Sequence, residues 1–159
     1  MGMGCAHEHE HPGLSGRSLA AELSAAEARC GRADQRLTPP RRRVLELLLE
    51  AGQPVKAYDL IGAFGTDGQA AKPPTVYRAL EFLEKLGFAH RIESLNAYVA
   101  CKHGEAVHAA AFLICDCCGV TQEVDPAVGS AIEAAGAAAG YSIGSVTIEA
   151  HGMCAACRA

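Results

Sequence analysis

The chain has 159 residues, half of them hydrophobic, with eight cysteines, no tryptophan and a net charge of −4 at pH 7. That length allows one domain or two small ones, and no stretch reaches the ~18 consecutive apolar residues of a membrane helix. The opening MGMGCAHEHEHPG lacks the apolar core of a secretory leader, so a cytoplasmic chain with reduced cysteines is expected, and in that compartment paired cysteines point to metal.

Residues 1–17 carry Cys5, His7, His9 and His11 and read as a disordered, His-rich tail that either pre-binds zinc or does nothing. SLAAELSAAEARCGRA (18–33) predicts an alanine-rich amphipathic helix with Ser18 as N-cap. In TPPRRRVLELLLEAG, Thr38 caps the next helix and prolines occupy its first turn. Val44, Leu45, Leu48 and Leu49 form one apolar stripe there, and Gly52 is the stop. AYDLIGAFG (57–65) is a shorter helix. KPPTVYRALEFLEKLG (72–87) is the best-punctuated one: prolines and Thr75 start it, Leu80, Leu83 and Leu86 line its buried face, and Gly87 ends it. FAHRIES and YVAC then alternate around LNA as a β-hairpin. Three short helices followed by a hairpin are the order of a winged helix-turn-helix.

Past Cys101 the character changes. KHGEAVHAA reads as a hinge and FLICDCCGVTQEV as two strands turning at the cysteines. PAVGSAIEAAGAAAG is a helix ended by Gly140, and SIGSVTIEA a strand leading into HGMCAACRA. Charge divides the same way: residues 36–91 carry +3 and residues 92–159 carry −5. A mildly basic segment joined to an acidic one suggests two jobs. The second segment is alanine-rich and small, and needs stapling by metal, disulfide or a dimer partner.

Three constellations carry chemistry. The first is a pair of C-x-x-C turns, Cys115 with Cys118 and Cys154 with Cys157. Two residues between thiolates let a tight turn aim both sulfurs at one tetrahedral centre, and two such turns close a four-cysteine zinc site. Gly119 lets backbone N–H groups approach sulfur, and Cys117 is left over as a buried or facing-away thiol. Loose thiol clusters, a transient disulfide and an iron–sulfur cluster are the alternatives for these residues.

The second is looser: His90, Cys101, His108 and Glu123, drawn from both halves of the chain. Two imidazoles, a thiolate and a carboxylate suit zinc, because the sulfur is softer than iron(II) or manganese(II) sites usually carry. Surface or core residues that never converge are the alternative. The third is basic: Arg41, Arg42 and Arg43 on one helix, Lys56 and Tyr58 opening the next, and Lys72, Thr75, Tyr77 and Arg78 opening the third. A helix in the major groove reads bases from its N-terminal turn while its neighbours hold phosphates. Arg78 can donate two bonds to a guanine edge, and Tyr77 can meet phosphate or a thymine methyl. A solvated charged face is the alternative.

Together these residues resemble the ferric uptake regulator family and, within it, the zinc uptake regulator branch. The resemblance spans roughly residues 18–159 and rests on RLTPPRRRVLELL, AYDL, AKPPTVYRALEFLEKLGFAHRIES, YVAC, FLICDCCG and IEAHGMCAAC. It implies an α+β chain: an N-terminal winged helix-turn-helix over 18–101, a hinge over 102–110, and a small α/β dimerisation domain over 111–159 holding a four-cysteine zinc site. It further implies two zinc ions per protomer. One is structural, at Cys115, Cys118, Cys154 and Cys157; the other is regulatory, at His90, Cys101, His108 and Glu123. PTVYRAL falls on the family's DNA-recognition helix, and Arg41, Lys56, Tyr58, Lys72, Thr75, Tyr77 and Arg78 are the DNA-binding candidates.

Departures from the family pattern inform the choice of metal. Iron-type members carry a histidine cluster before the first cysteine turn, where this chain has Val107, His108 and three alanines; this favours the zinc branch. His103 takes no role, and His151 of IEAHG reads as structural or supporting. Gly62 and Gly65 leave the end of the 57–65 helix without charges through which neighbouring dimers would pair. The expected function is a zinc-responsive repressor of zinc uptake genes, with zinc as co-repressor. It would act as a cytoplasmic homodimer on double-stranded operator DNA, with no membrane partner and no enzymatic activity. The same fold sensing iron, manganese or peroxide is the alternative. A zinc hydrolase is disfavoured, because four protein ligands leave no position for water.

Overall fold

Helix stops set the frame of the N-terminal half. Helix α1 (Gly16–Arg32) ends where Asp34 takes a left-handed conformation (φ 51°), with Gln35 N–H donating to the Cys30 carbonyl at 2.8 Å. Helix α2 (Pro39–Ala51) ends at Gly52 (φ 61°), and α4 (Pro73–Lys85) at Gly87 (φ 73°). At α4 the N–H groups of Gly87 and Phe88 donate to Glu84 and Leu83. These paired bonds satisfy the last carbonyls of a helix and reverse the chain sharply. Prolines fill the first turns of α2 and α4, where a missing N–H costs nothing.

A computed structural model describes residues 12–65, 71–102, 109–124 and 127–158, in two units that divide between residues 107 and 108. The first unit adds β1 (Val55–Lys56), α3 (Ala57–Phe64), β2 (Ala89–Ile92) and β3 (Ala97–Ala100). Its sheet has the order β1-β3-β2, antiparallel throughout, with Val55 opposite Tyr98 and His90 opposite Val99. Leu23, Val44, Leu48, Leu60, Val76, Leu80 and Leu83 form a fully enclosed core between the four helices. This is the expected winged helix-turn-helix, with three differences. Helix α1 starts three residues early, after Ser15 rather than Ser18. The two-residue β1 is too short to show alternation. The last residues assigned to the tail are tied down, Leu14 N–H donating to Leu49 at 2.8 Å. Cys5, His7, His9 and His11 lie outside the described residues.

The second unit has β4 (Ala110–Cys115), β5 (Thr121–Val124), α5 (Ala127–Ala138) and β6 (Thr147–Gly152), in sheet order β5-β4-β6. Strand β4 is central, antiparallel to β5 and parallel to β6, and buries Ala110, Ala111, Phe112 and Ile114. The β4 strand thus takes in the last residue expected in the hinge, and the β6 strand starts later than SIGSVTIEA suggested. Gly129 is required by packing: a Cβ there would sit 2.1 Å from that of Ala109. Leu113, Ile132, Tyr141, Ile143 and Met153 remain exposed on this unit.

Candidate metal centres and nucleic-acid surface

Strand β4 delivers Cys115 to the end of the sheet, and a tight turn follows in which Gly119 N–H donates to the Cys115 carbonyl at 2.9 Å. Gly119 sits at φ 74°, a conformation that favours glycine. The parallel neighbour β6 ends beside it, Cys115 opposite Gly152, with Asp116 N–H donating to the Gly152 carbonyl at 2.8 Å. The second turn therefore starts at the first one's side. Cys157 and Arg158 N–H groups close it onto the Cys154 carbonyl.

As a result the sulfurs of Cys115, Cys118, Cys154 and Cys157 all lie within 4.8 Å of one another, with Cys118 and Cys154 at 3.8 Å. Four thiolates at about 2.3 Å from a central zinc span edges of about 3.8 Å, so the donor set fits zinc in both chemistry and size. Cys154 N–H donates to the Cys115 sulfur at 3.3 Å. Backbone N–H groups of Cys118 and then Cys154 hold the Cys115 thiol down at about 6, whereas burial and then the Cys154 side chain push Cys157 up to about 12. Cys117 is outside this set. It is half-buried and disulfide-bonded, not the free thiol expected.

His151 stands on β6 with Nδ1 2.9 Å from Asp116 Oδ1 and Nε2 3.7 Å from Glu149 Oε2. The hydrogen bond to Asp116 raises its pKa, against a smaller effect of burial. The ring pins the first cysteine turn to β6, which is the structural role expected of it.

In the first unit His90 lies on β2 and Cys101 follows β3, and their ligand atoms are within 4.8 Å of each other. Cys101 N–H donates to the Phe88 carbonyl at 2.9 Å, which holds the hairpin closed beside the pair. Glu123 belongs to the second unit, half-buried on β5 opposite Phe112. His108, His103 and Val107 lie outside the described residues.

The basic residues separate into two groups. Arg41 lies over the Phe82 ring, 3.6 Å from its centroid, and donates to the Arg36 carbonyl at 2.8 Å. Arg42 pairs with Glu27 of α1 at 3.1 Å, and Arg43 pairs with Glu46 of its own helix at 2.7 Å while donating to the carbonyls of Ala63 and Phe64 in α3 at 3.3 and 3.4 Å. The arginine run thus joins helices to one another. Lys56, Tyr58, Lys72, Tyr77 and Arg78 are exposed at the starts of α3 and α4, with Thr75 half-buried among them. Tyr58 at 83% and Tyr77 at 51% exposure leave two aromatic rings in solvent beside three cations, a combination suited to phosphates and base edges.

Comparison with known proteins adds the relationship. The pattern of the ferric uptake regulator family matches residues 32–151. The zinc uptake regulation protein of Escherichia coli (strain K12) is 42% identical over 137 residues, covering 85% of this chain and 80% of that one. The crystal structure of holo XcZur is similar with a TM-score of 0.77 at 46% identity, over 87% of this chain and 97% of that one. A zinc uptake regulator complexed with zinc and DNA gives 0.80 at 39% identity, over 90% and 97%.

Proposed function

The chain belongs to the ferric uptake regulator family, and from that premise we propose that it is a zinc-responsive, DNA-binding repressor of zinc uptake genes, with zinc as co-repressor. The observation that carries this reading is the likeness, along most of the chain, to proteins named for zinc uptake regulation. A family of transcription regulators makes a regulator, not an enzyme, the reading for this chain.

Two zinc ions per protomer complete the proposal. The four-cysteine cluster would hold a structural ion, supported by sulfur spacing that matches a zinc tetrahedron. His90, Cys101, His108 and Glu123 would hold the regulatory one, supported by the approach of His90 to Cys101 and by a donor set that suits zinc. Zinc bound there supplies a cross-link between a winged-helix domain (18–101) and a dimerisation domain (111–159) joined by a hinge (102–110). The exposed apolar residues Leu113, Ile132, Tyr141 and Ile143 support a homodimer through the second unit. A cytoplasmic location follows from the regulatory role; no described helix is long and apolar enough to cross a membrane.

Untethered reading heads sample many separations, whereas a two-fold operator demands one. Tethering removes that conformational cost in advance, and linkage requires DNA to tighten metal in return. A coupling of ~1–3 kcal/mol corresponds to roughly 5–150-fold. Lys56, Tyr58, Lys72, Thr75, Tyr77 and Arg78 would face the operator, and Arg41 would brace α4 through Phe82. The test is DNA binding with zinc, iron(II) and manganese(II) titrated separately at fixed salt, against a duplex selected from random-sequence DNA by the zinc-treated protein. Zinc should act at the lowest free concentration. Occupancy indifferent to a chelator, or a stronger response to iron or manganese, would refute the reading.

A further inference from the structure

Helix α1 begins outside the segment that the family pattern matches, and Arg29 near its end reaches across to the DNA-reading helix. One Nη2–H group of Arg29 donates to the carbonyl of Leu86, the residue that caps α4. The same guanidinium lies over the Phe88 ring, 4.2 Å from its centroid. Phe88 in turn accepts the N–H of Cys101 on its carbonyl at 2.9 Å. One side chain therefore sits on both the C-terminal end of α4 and the residue hydrogen-bonded to Cys101.

Each contact has a physical cause. The end of a helix carries unsatisfied carbonyls and partial negative charge, and a guanidinium supplies both a donor and a positive charge there. The Phe88 ring offers its electron-rich face to that cation. Phe88 is itself fixed, buried to 7% exposure, with its N–H on Leu83 at 2.8 Å. Arg29, Gly87, Phe88 and Cys101 also line a cavity of about 90 Å³. The guanidinium is therefore not enclosed on every side, unlike a close-packed core residue.

We infer that Arg29 is a positioning residue that couples Cys101 to α4: it holds the reading helix in its DNA-binding pose in response to metal at Cys101. This rests on the function proposed above. Coupling between sites is carried by packed side chains and hydrogen bonds that connect them, and Arg29 with Phe88 connects the Cys101 backbone to the end of the reading helix. A Lys keeps the charge but loses the planar fork that stacks and donates together.

The test uses the full chain as Arg29→Gln, Arg29→Lys and Phe88→Leu, with the selected duplex as probe. The quantity read is the ratio of DNA affinity with zinc to that with chelator. Arg29→Gln and Phe88→Leu should each lower this ratio by about 2- to 30-fold, the range of residues that carry coupling. Zinc affinity without DNA and DNA affinity under chelator should stay as in wild type. The double variant should be no worse than the weaker single, because both break one link. Arg29→Lys should recover part of the ratio. A purely structural role predicts a lower melting temperature with the ratio intact, and that result overturns the inference. Should Arg29→Gln fail to fold, Phe88→Leu and Arg29→Lys decide it in the same way. If wild type itself shows no zinc dependence, the proposed function has failed instead.

Discussion

Cys118 and Cys154, thirty-six positions apart in the chain, bring their sulfurs to 3.8 Å. Backbone hydrogen bonds place the two cysteine turns side by side, but they give four thiols no reason to face one centre. A metal does, since thiolates repel one another until an ion sits between them. Cys118→Ser should therefore act on folding itself. Apparent zinc energies at such sites are roughly 10–16 kcal/mol, more than the stability of a small domain. We predict that the variant loses tightly held zinc and becomes unfolded or monomeric, as read by metal content and sedimentation. A stable dimer without that zinc would show that the cluster is not structural.

Cys101→Ser should behave differently, because Cys101 lies outside the four-sulfur cluster and its backbone bond to Phe88 survives the change. The expected protein is folded, dimeric and still carries its structural zinc, but its DNA affinity no longer rises with added zinc. The loss should be at least the roughly 5–150-fold typical of a coupling between two sites. Titration of the selected duplex at fixed salt reads it directly; a wild-type response would remove Cys101 from the regulatory set.

The contrast between these variants reflects what was legible in the sequence. The cysteine pairs were legible because two-residue spacing fixes turn geometry, and α4 because Pro73, Pro74 and Gly87 mark both of its ends. The arginine run was not. RRR reads as a basic face, but the partners Phe82, Glu27 and the carbonyls of Ala63 and Phe64 follow from how helices pack, which no local spacing states. Cys117 gave no signal of its disulfide, being one thiol among three within four positions. Strand β1 escaped because Val55 and Lys56 are too few to alternate. Arg29 carries no local cue to its partners, and only the fold brings Leu86 and Phe88 to it.

Glu84 supplies a test of the fold's electrostatics. Desolvation raises its pKa above the ordinary 4.5, Arg91 lowers it by less, and Glu93 adds to the rise. For a carboxyl raised in the folded state, its contribution is fully present below the unfolded value and is lost as pH climbs through the folded one. Glu84→Gln should then melt slightly above wild type at neutral pH, and the gap should close as pH falls towards 4.5. A gap that widens on acidification would reverse the assigned sign. Much of the group is solvated, so the effect should be small.

Arg78 and Lys72 separate sequence reading from charge. Both are exposed at the start of α4, but a guanidinium presents its donors in a rigid planar fork that matches a guanine edge, whereas an ammonium is a compact point charge on a flexible stem. Arg78→Ala should cost about 1–3 kcal/mol on the selected duplex and relax the preference at one base position. Lys72→Ala should weaken selected and random duplexes alike, and reduce the salt dependence by about one unit of log–log slope for each lysine lost. Binding to both duplexes across a salt series distinguishes the two. Equal losses on both duplexes for Arg78→Ala would mean that its guanidinium touches phosphate, and the base-reading role would pass to another residue of the α3–α4 face.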